Sequence, residues 1–189
     1  MDYKEYKTSR NLAWDILSRE GVNELPVKVS DICAGLGIAL KGYRSTDSNP
    51  GFCNIMDGQP YIFVDLGANR ALRRFTAAHE LGHILLGHVG EFTHLLDATP
   101  RYTRDHERAA DAFAMRLLAP ACVLWGCDVV CAEEISKLCE ISLYTAQQRM
   151  SRMKRLYERS KFLLSPEEKA VYEQFWPFIY RYRQASGKQ

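Results

Sequence analysis

The residues best suited to chemistry lie in the stretch Ala77-Ala78-His79-Glu80-Leu81-Gly82-His83-Ile84-Leu85-Leu86. His79 and His83 are four residues apart. On a helix that spacing sets both imidazoles on one face, one turn apart, where they can hold a single ion. Glu80 follows the first histidine and can reach an activated water from the same helix. This is the HExxH arrangement, in which two ligands and a general base share one helical turn. The apolar periodicity around it is helical, so the motif sits in the context its geometry needs.

Two histidines leave a zinc site one protein ligand short. A third histidine in the extended HExxHxxGxxH pattern is absent: Gly87 falls four residues after His83 rather than three, and His88 five rather than six. His88 therefore reads as a helix-end residue, with a substrate-facing role as the alternative. A better third ligand lies in His106-Glu107-Arg108-Ala109-Ala110-Asp111-Ala112-Phe113-Ala114, where Glu107 and Asp111 are four apart on a predicted helix and share a face. Glu107 can supply a carboxylate oxygen to the ion. Asp111, one turn on, can accept the free ring N–H of a ligating histidine and fix its orientation. Taken alone, such a pair beside Arg104 and Arg108 would be an ordinary solvated acidic face. Its position after the HExxH helix, within an apolar alanine- and phenylalanine-rich face, favours the ligand role. Asp105 and His106 are alternative ligands, but a helix turns them about 200° and 100° away from Glu107.

The chemistry this set allows is metal-assisted peptide hydrolysis. His79, His83 and Glu107 would leave one coordination position for water, whose pKa zinc lowers toward about 7. Glu80 would take the proton of that water and return it to the leaving amine. Zn2+ is the expected ion, and a His/Glu set also suits Mn2+ or Fe2+. Tyr102, His106 and Tyr144 are candidates for contacting the oxyanion or the substrate.

The elements that must position these groups can be read around them. Residues 3–20 form a predicted amphipathic helix with Tyr6, Leu12, Ala13, Ile16 and Leu17 on its apolar stripe, ended by Gly21. After Pro26 a short helix is expected from about Ser30, as N-cap, to Leu36, and an extended segment from Ile38 to about Tyr43. Residues 51–56 and 61–65 read as a hairpin turned by Asp57-Gly58-Gln59-Pro60. Asn69 can cap the HExxH helix, which Gly87 ends. Residues 88–104 look irregular, and a helix from about Asp105 to Leu118 closes at Pro120. Further helices are predicted at about Ala132–Leu138, Ser142–Arg159 and Pro166–Arg183. Ser165-Pro166-Glu167-Glu168 combines a cap, a proline at N1 and acids in the first turn. The fold class expected is α+β, mostly helical, with a small three-stranded sheet beside the HExxH helix and a helical C-terminal extension. The division expected is a domain over 1–125 and a helical subdomain over 126–189.

These motifs resemble the ImmA/IrrE family of bacterial metallopeptidases. The resemblance covers roughly residues 25–155. It rests on the strand Tyr61–Val64 leading into Arg74-Phe75-Thr76-Ala77-Ala78-His79-Glu80-Leu81-Gly82-His83. It rests also on the second motif, Glu107-Arg108-Ala109-Ala110-Asp111-Ala112-Phe113-Ala114, closing in Leu117-Leu118-Ala119-Pro120. Ala119 stands where the family often has methionine. Ile141-Ser142-Leu143-Tyr144-Thr145-Ala146 is similar to a family helix start, with isoleucine in place of valine. The resemblance implies a zincin-like domain and an endopeptidase whose substrate is a helix-turn-helix DNA-binding repressor of a mobile element or stress response.

Composition sets the bounds. At 189 residues, with 47% hydrophobic and 25% charged residues, the chain can bury a core without staples. A net charge of +2 implies neither a nucleic-acid nor an acidic partner by itself. The charged N-terminus lacks the apolar region of a signal peptide, and no apolar run approaches a membrane span, so a cytoplasmic protein without membrane contact is expected. The cysteines at positions 33, 53, 122, 127, 131 and 139 are then expected to be reduced, and the four from Cys122 to Cys139, which lack paired CxxC knuckles, to be small apolar residues on helix faces. Two other readings compete. The basic segment Arg149, Arg152, Lys154, Arg155, Arg159 and Lys161 could touch DNA phosphates, although a solvated helix face is the simpler account. Alternatively the chain is a metal-sensing regulator without peptidase activity, for which an intact Glu80 would be superfluous.

Overall fold

The computed structural model describes residues 3–46, 49–90 and 103–188. Its elements are α1 (Tyr3–Arg19), α2 (Val29–Gly35), β1 (Ala39–Tyr43), β2 (Gly51–Met56), β3 (Gln59–Asp65), α3 (Arg70–Leu85), α4 (Arg104–Leu118), α5 (Ala121–Gly126), α6 (Ala132–Cys139), α7 (Leu143–Glu158) and α8 (Pro166–Ser186). The α+β class with one three-stranded sheet is as expected. The chain folds as two compact units, one of Met1–Arg10 with Lys28–Ala114, the other of Asn11–Val27 with Met115–Gln189.

In the first unit the sheet order is β1-β3-β2, with β1 parallel and β2 antiparallel to the central β3. The hairpin turn is tighter than the sequence reading placed it. Asp57 and Gly58 alone make it, with φ of +50° and +74°, the two left-handed residues of a type I′ turn. Gln59 and Pro60 belong to β3 instead. Pro60 lies one residue before the β1 pairing begins at Tyr61, outside the β1 ladder. At α2 the expected cap also differs. Lys28 is the N-cap residue, with no capping bond from its side chain, and Ser30 lies inside the helix with its hydroxyl on Asp31.

α3 lies against β2 and β3. Asn69 caps it as expected, its side-chain oxygen accepting the Leu72 N–H at 2.9 Å. Gly51 allows the close seating: a Cβ there would collide with the Thr76 side chain and the Phe63 carbonyl. On another side, Gly82 meets α4. A Cβ on Gly82 would stand 3.0 Å from Phe113 Cδ1 and 3.2 Å from Ala110 Cα. The two backbones approach because Gly82 has no side chain, and that approach brings Glu107 and Asp111, on the turns preceding and including Ala110, within reach of α3.

The second unit packs α5, α6, α7 and α8 around fully buried Leu124, Ile135, Met153 and Phe175. Gly126 admits α8, where a Cβ would stand 2.8 Å from both Ile179 and Tyr172. Gln174 donates to the Leu17 and Val22 carbonyls at 2.8 and 2.6 Å, tying α8 to the last turn of α1 and the residues that follow it. Ser142 and Ser165 cap α7 and α8. In the aromatic tail Phe175 and Ile179 are buried while Trp176 and Tyr180 are exposed. The basic segment is not one solvated face, because Arg149 is buried. Ala13, Ile16 and Leu17 are buried as the stripe of α1 requires; the Tyr6 side chain lies outside the described residues. By composition the stretch Arg104–Gly126 is long and apolar enough to cross a membrane, but 78% of its apolar window is buried inside the protein, as in a core helix.

The Gly82 contact yields a stability prediction. Helix propensity alone favours a larger residue at this position. Gly82→Val should nonetheless destabilise the protein by about 1–3 kcal/mol, because its side chain must enter the α3–α4 contact. Chemical denaturation checks this, and parental stability in the variant would contradict the close-approach account.

Candidate metal centre

The two motifs meet in the first unit. His79 Nε2 and His83 Nε2 lie 3.0 Å apart on α3. From α4, Glu107 Oε2 is 3.3 Å from His79 Nε2 and Oε1 is 3.7 Å from His83 Nε2. One ligand atom from each residue fits within a mutual 4.8 Å, and among the described residues this is the one such group of histidine, cysteine and acidic side chains. A tetrahedral ion with bonds of about 2.0–2.1 Å spaces its donors roughly 3.3 Å apart. The observed separations bracket that value, so the donor set fits a zinc-class dication. Asp105 and His106, the alternative ligands, are not in the group.

The outer ring nitrogens are also engaged. His79 Nδ1 is 2.9 Å from Asp111 Oδ1, the contact anticipated for Asp111. With Nε2 facing Glu107, the ring proton belongs on Nδ1 and is donated to the carboxylate. His83, fully buried, places Nδ1 3.1 Å from His88 Nδ1. His106 stacks on His88, ring centroids 4.2 Å apart at 12°. The ring contact of His88 with His83 was not read from the sequence. The signal available was Gly87, whose φ of +73° turns the chain back over the end of α3.

Electrostatics separate the two histidines. Burial, reinforced by His79, His88 and His106, depresses His83 to about 3 and keeps it neutral, as a ligand must be. Burial acts against charge on His79 as well, but Asp111, Glu80 and Glu107 outweigh it and raise its pKa. The negative potential that favours a proton there equally favours a dication. Glu80 is raised chiefly by burial, opposed by hydrogen bonds from the Cys53 thiol and backbone and by His79. It is 6% exposed, and its Oε2 has no hydrogen-bond partner. The Glu80 residue lines a cleft of about 480 Å³, whose apolar side is Pro50, Phe52, Leu72 and Phe75, and which His79 and Glu107 also line.

Tyr102 lies outside the described residues. Tyr144 is in the second unit, on the first turn of α7, and is 72% exposed. All six cysteines are free thiols, and burial above all pushes Cys33, Cys122 and Cys127 up to about 12. Thiols so hard to ionise act as apolar filling rather than as ligands.

Asp111 is exposed and contributes little to packing, so its loss isolates the orienting contact. Asp111→Ala should weaken zinc binding roughly 10- to 100-fold with little change in the metal-free melting temperature. Chelator competition measures it, and unchanged affinity would contradict the orienting role.

Residues 36–151, more than half of the chain, match the family model described as peptidase M78, IrrE N-terminal-like domain. No curated protein matches the chain. The matched span contains His79, Glu80, His83, Glu107 and Asp111, and the family is one of metal-dependent peptidases. With its HExxH helix meeting an acidic helix at one donor cluster, the chain belongs to the peptidase M78 family, with an IrrE N-terminal-like domain over residues 36–151.

Proposed function

We propose that this chain is a zinc-dependent endopeptidase that cleaves a protein substrate in the cytoplasm, and that the substrate is a helix-turn-helix repressor of a mobile element or stress response. The observation that carries the catalytic reading is Glu80 Oε2, a buried carboxylate oxygen without a partner, on a residue that lines the same cleft as His79 and Glu107. Leaving such a group unsatisfied costs about 1–3 kcal/mol or more. A protein that only sensed or stored metal would gain nothing from that cost, which weighs against the non-hydrolytic regulator. The repressor substrate is supported by the family resemblance.

His79, His83 and Glu107 would hold the ion, with Asp111 orienting His79. When bound, a zinc-class dication supplies Lewis acidity to the scissile carbonyl and acidifies water. Glu80 then serves as general base, removing the proton from the attacking water. Its raised pKa brings it nearer the operating pH, where a carboxyl both accepts and returns a proton. The same carboxyl delivers that proton to the leaving amine. Burial of the Glu80 side chain keeps bulk water from competing for it.

Glu80→Gln keeps the shape and removes the base. It should retain one zinc per chain and lose cleavage of a helix-turn-helix repressor substrate about 10²- to 10⁴-fold, read by mass spectrometry of the products. His83→Ala should lose both metal and cleavage. Cleavage by Glu80→Gln at the parental rate would remove the general-base assignment.

A further inference from the structure

The structure assigns His88 as a positioning residue for His83, holding that ring so that Nε2 and not Nδ1 faces the ligand cluster; this rests on the metal-centre reading above. The argument begins with the end of α3. Leu86 is the C-cap, the Gly87 N–H donates to the Ile84 carbonyl at 3.1 Å, and the His88 N–H donates to the His83 carbonyl at 3.0 Å. With Gly87 at φ +73°, these two bonds make a Schellman motif. That motif brings the residue two past the cap against the residue three positions inside it, commonly as an apolar contact. Here the two are His88 and His83, and the contact is between imidazole nitrogens at 3.1 Å.

The protonation pattern follows from which nitrogens face what. His83 Nε2 faces His79 Nε2 and Glu107, so a ligating lone pair belongs on Nε2. A neutral imidazole then carries its proton on Nδ1. That N–H points at His88 Nδ1, which must accept, so His88 carries its own proton on Nε2. His106 stacks on the His88 ring and limits its rotation. The two ligating histidines are thus oriented differently: His79 by the exposed carboxylate of Asp111, His83 by a neutral ring supplied by its own helix cap. A histidine buried this completely needs an acceptor for its second nitrogen.

The test is zinc affinity by chelator competition on the full chain, with metal-free thermal unfolding as the packing control. His88→Phe retains a ring to stack on His106 but has no acceptor. It should bind zinc roughly 10- to 100-fold more weakly, a loss compared with any fall in metal-free melting temperature from the unpaired His83 nitrogen. His88→Gln, which keeps an acceptor oxygen, should recover most of the affinity. Parental affinity in His88→Phe overturns the assignment, as does an equal loss in both variants. Should His88→Phe not fold, long-range proton–nitrogen correlation spectra of the zinc-loaded parent read the same point. Coordination of His83 through Nε2, with an unprotonated His88 Nδ1, supports it. Coordination through Nδ1, or a doubly protonated His88, overturns it. A parent that binds no zinc would instead remove the metal centre itself, a result distinct from a zinc-binding parent indifferent to His88.

Discussion

The close passage of α3 over α4 at Gly82 is the constraint on which the site depends. HExxH supplies two imidazoles and a base on one helix, but it cannot supply a third ligand from the same turn. That ligand must come from another helix whose backbone passes near enough for a short carboxylate to reach. Gly82 lies between the two histidines and faces Ala110 and Phe113. With no Cβ at that point, Glu107 arrives 3.3 Å from His79 and Asp111 arrives 2.9 Å from the other side of the same ring. The glycine in the motif is thus a packing residue for the metal centre, although it carries no ligand itself.

Around that contact, burial and charge are set against each other. His83 lies in a desolvated position that excludes a proton, while His79 lies amid three carboxylates that attract positive charge. A dication held by these residues would satisfy both, since it would neutralise the acids and take the lone pairs that burial leaves free. Glu80 stands apart from this balance. Its hydrogen bonds with Cys53 hold it against β2, yet one oxygen stays buried and unpaired. Sheet, helix and cap therefore contribute separately to the centre. The β2 strand steadies Glu80, α4 brings the acids, and the turn after α3 returns His88 to His83.

Much of this was legible from spacing. The i, i+4 pairs His79/His83 and Glu107/Asp111 specify helical faces, and Asn69, Ser142 and Ser165 advertise their caps through short polar side chains ahead of apolar runs. Other features were not. The α5 helix, Ala121–Gly126, is apolar nearly all round and buried, so it shows no amphipathic period. The parallel pairing of β1 with β3 is non-local, and the hairpin chemistry of Asp57-Gly58 says nothing about it. Ser30 looked like a cap because its residue type suits one, while the backbone places the cap two residues earlier, at Lys28. The His88–His83 contact depends on a left-handed glycine and on which nitrogen each ring presents, and spacing encodes neither. Arg149 shows the reverse case, in which a run of basic residues suggested a continuous surface that folding interrupts.

The most direct test of the account is to locate the ion. Anomalous diffraction from crystals of the zinc-loaded chain, recorded at the zinc absorption edge, should give one peak per chain, bonded to His79 Nε2, His83 Nε2 and a Glu107 carboxylate oxygen at about 2.0–2.2 Å. A peak elsewhere, for example on the cysteine thiols, or a bound zinc with Glu107 turned away from it, would contradict the convergence of the two helices on a single site.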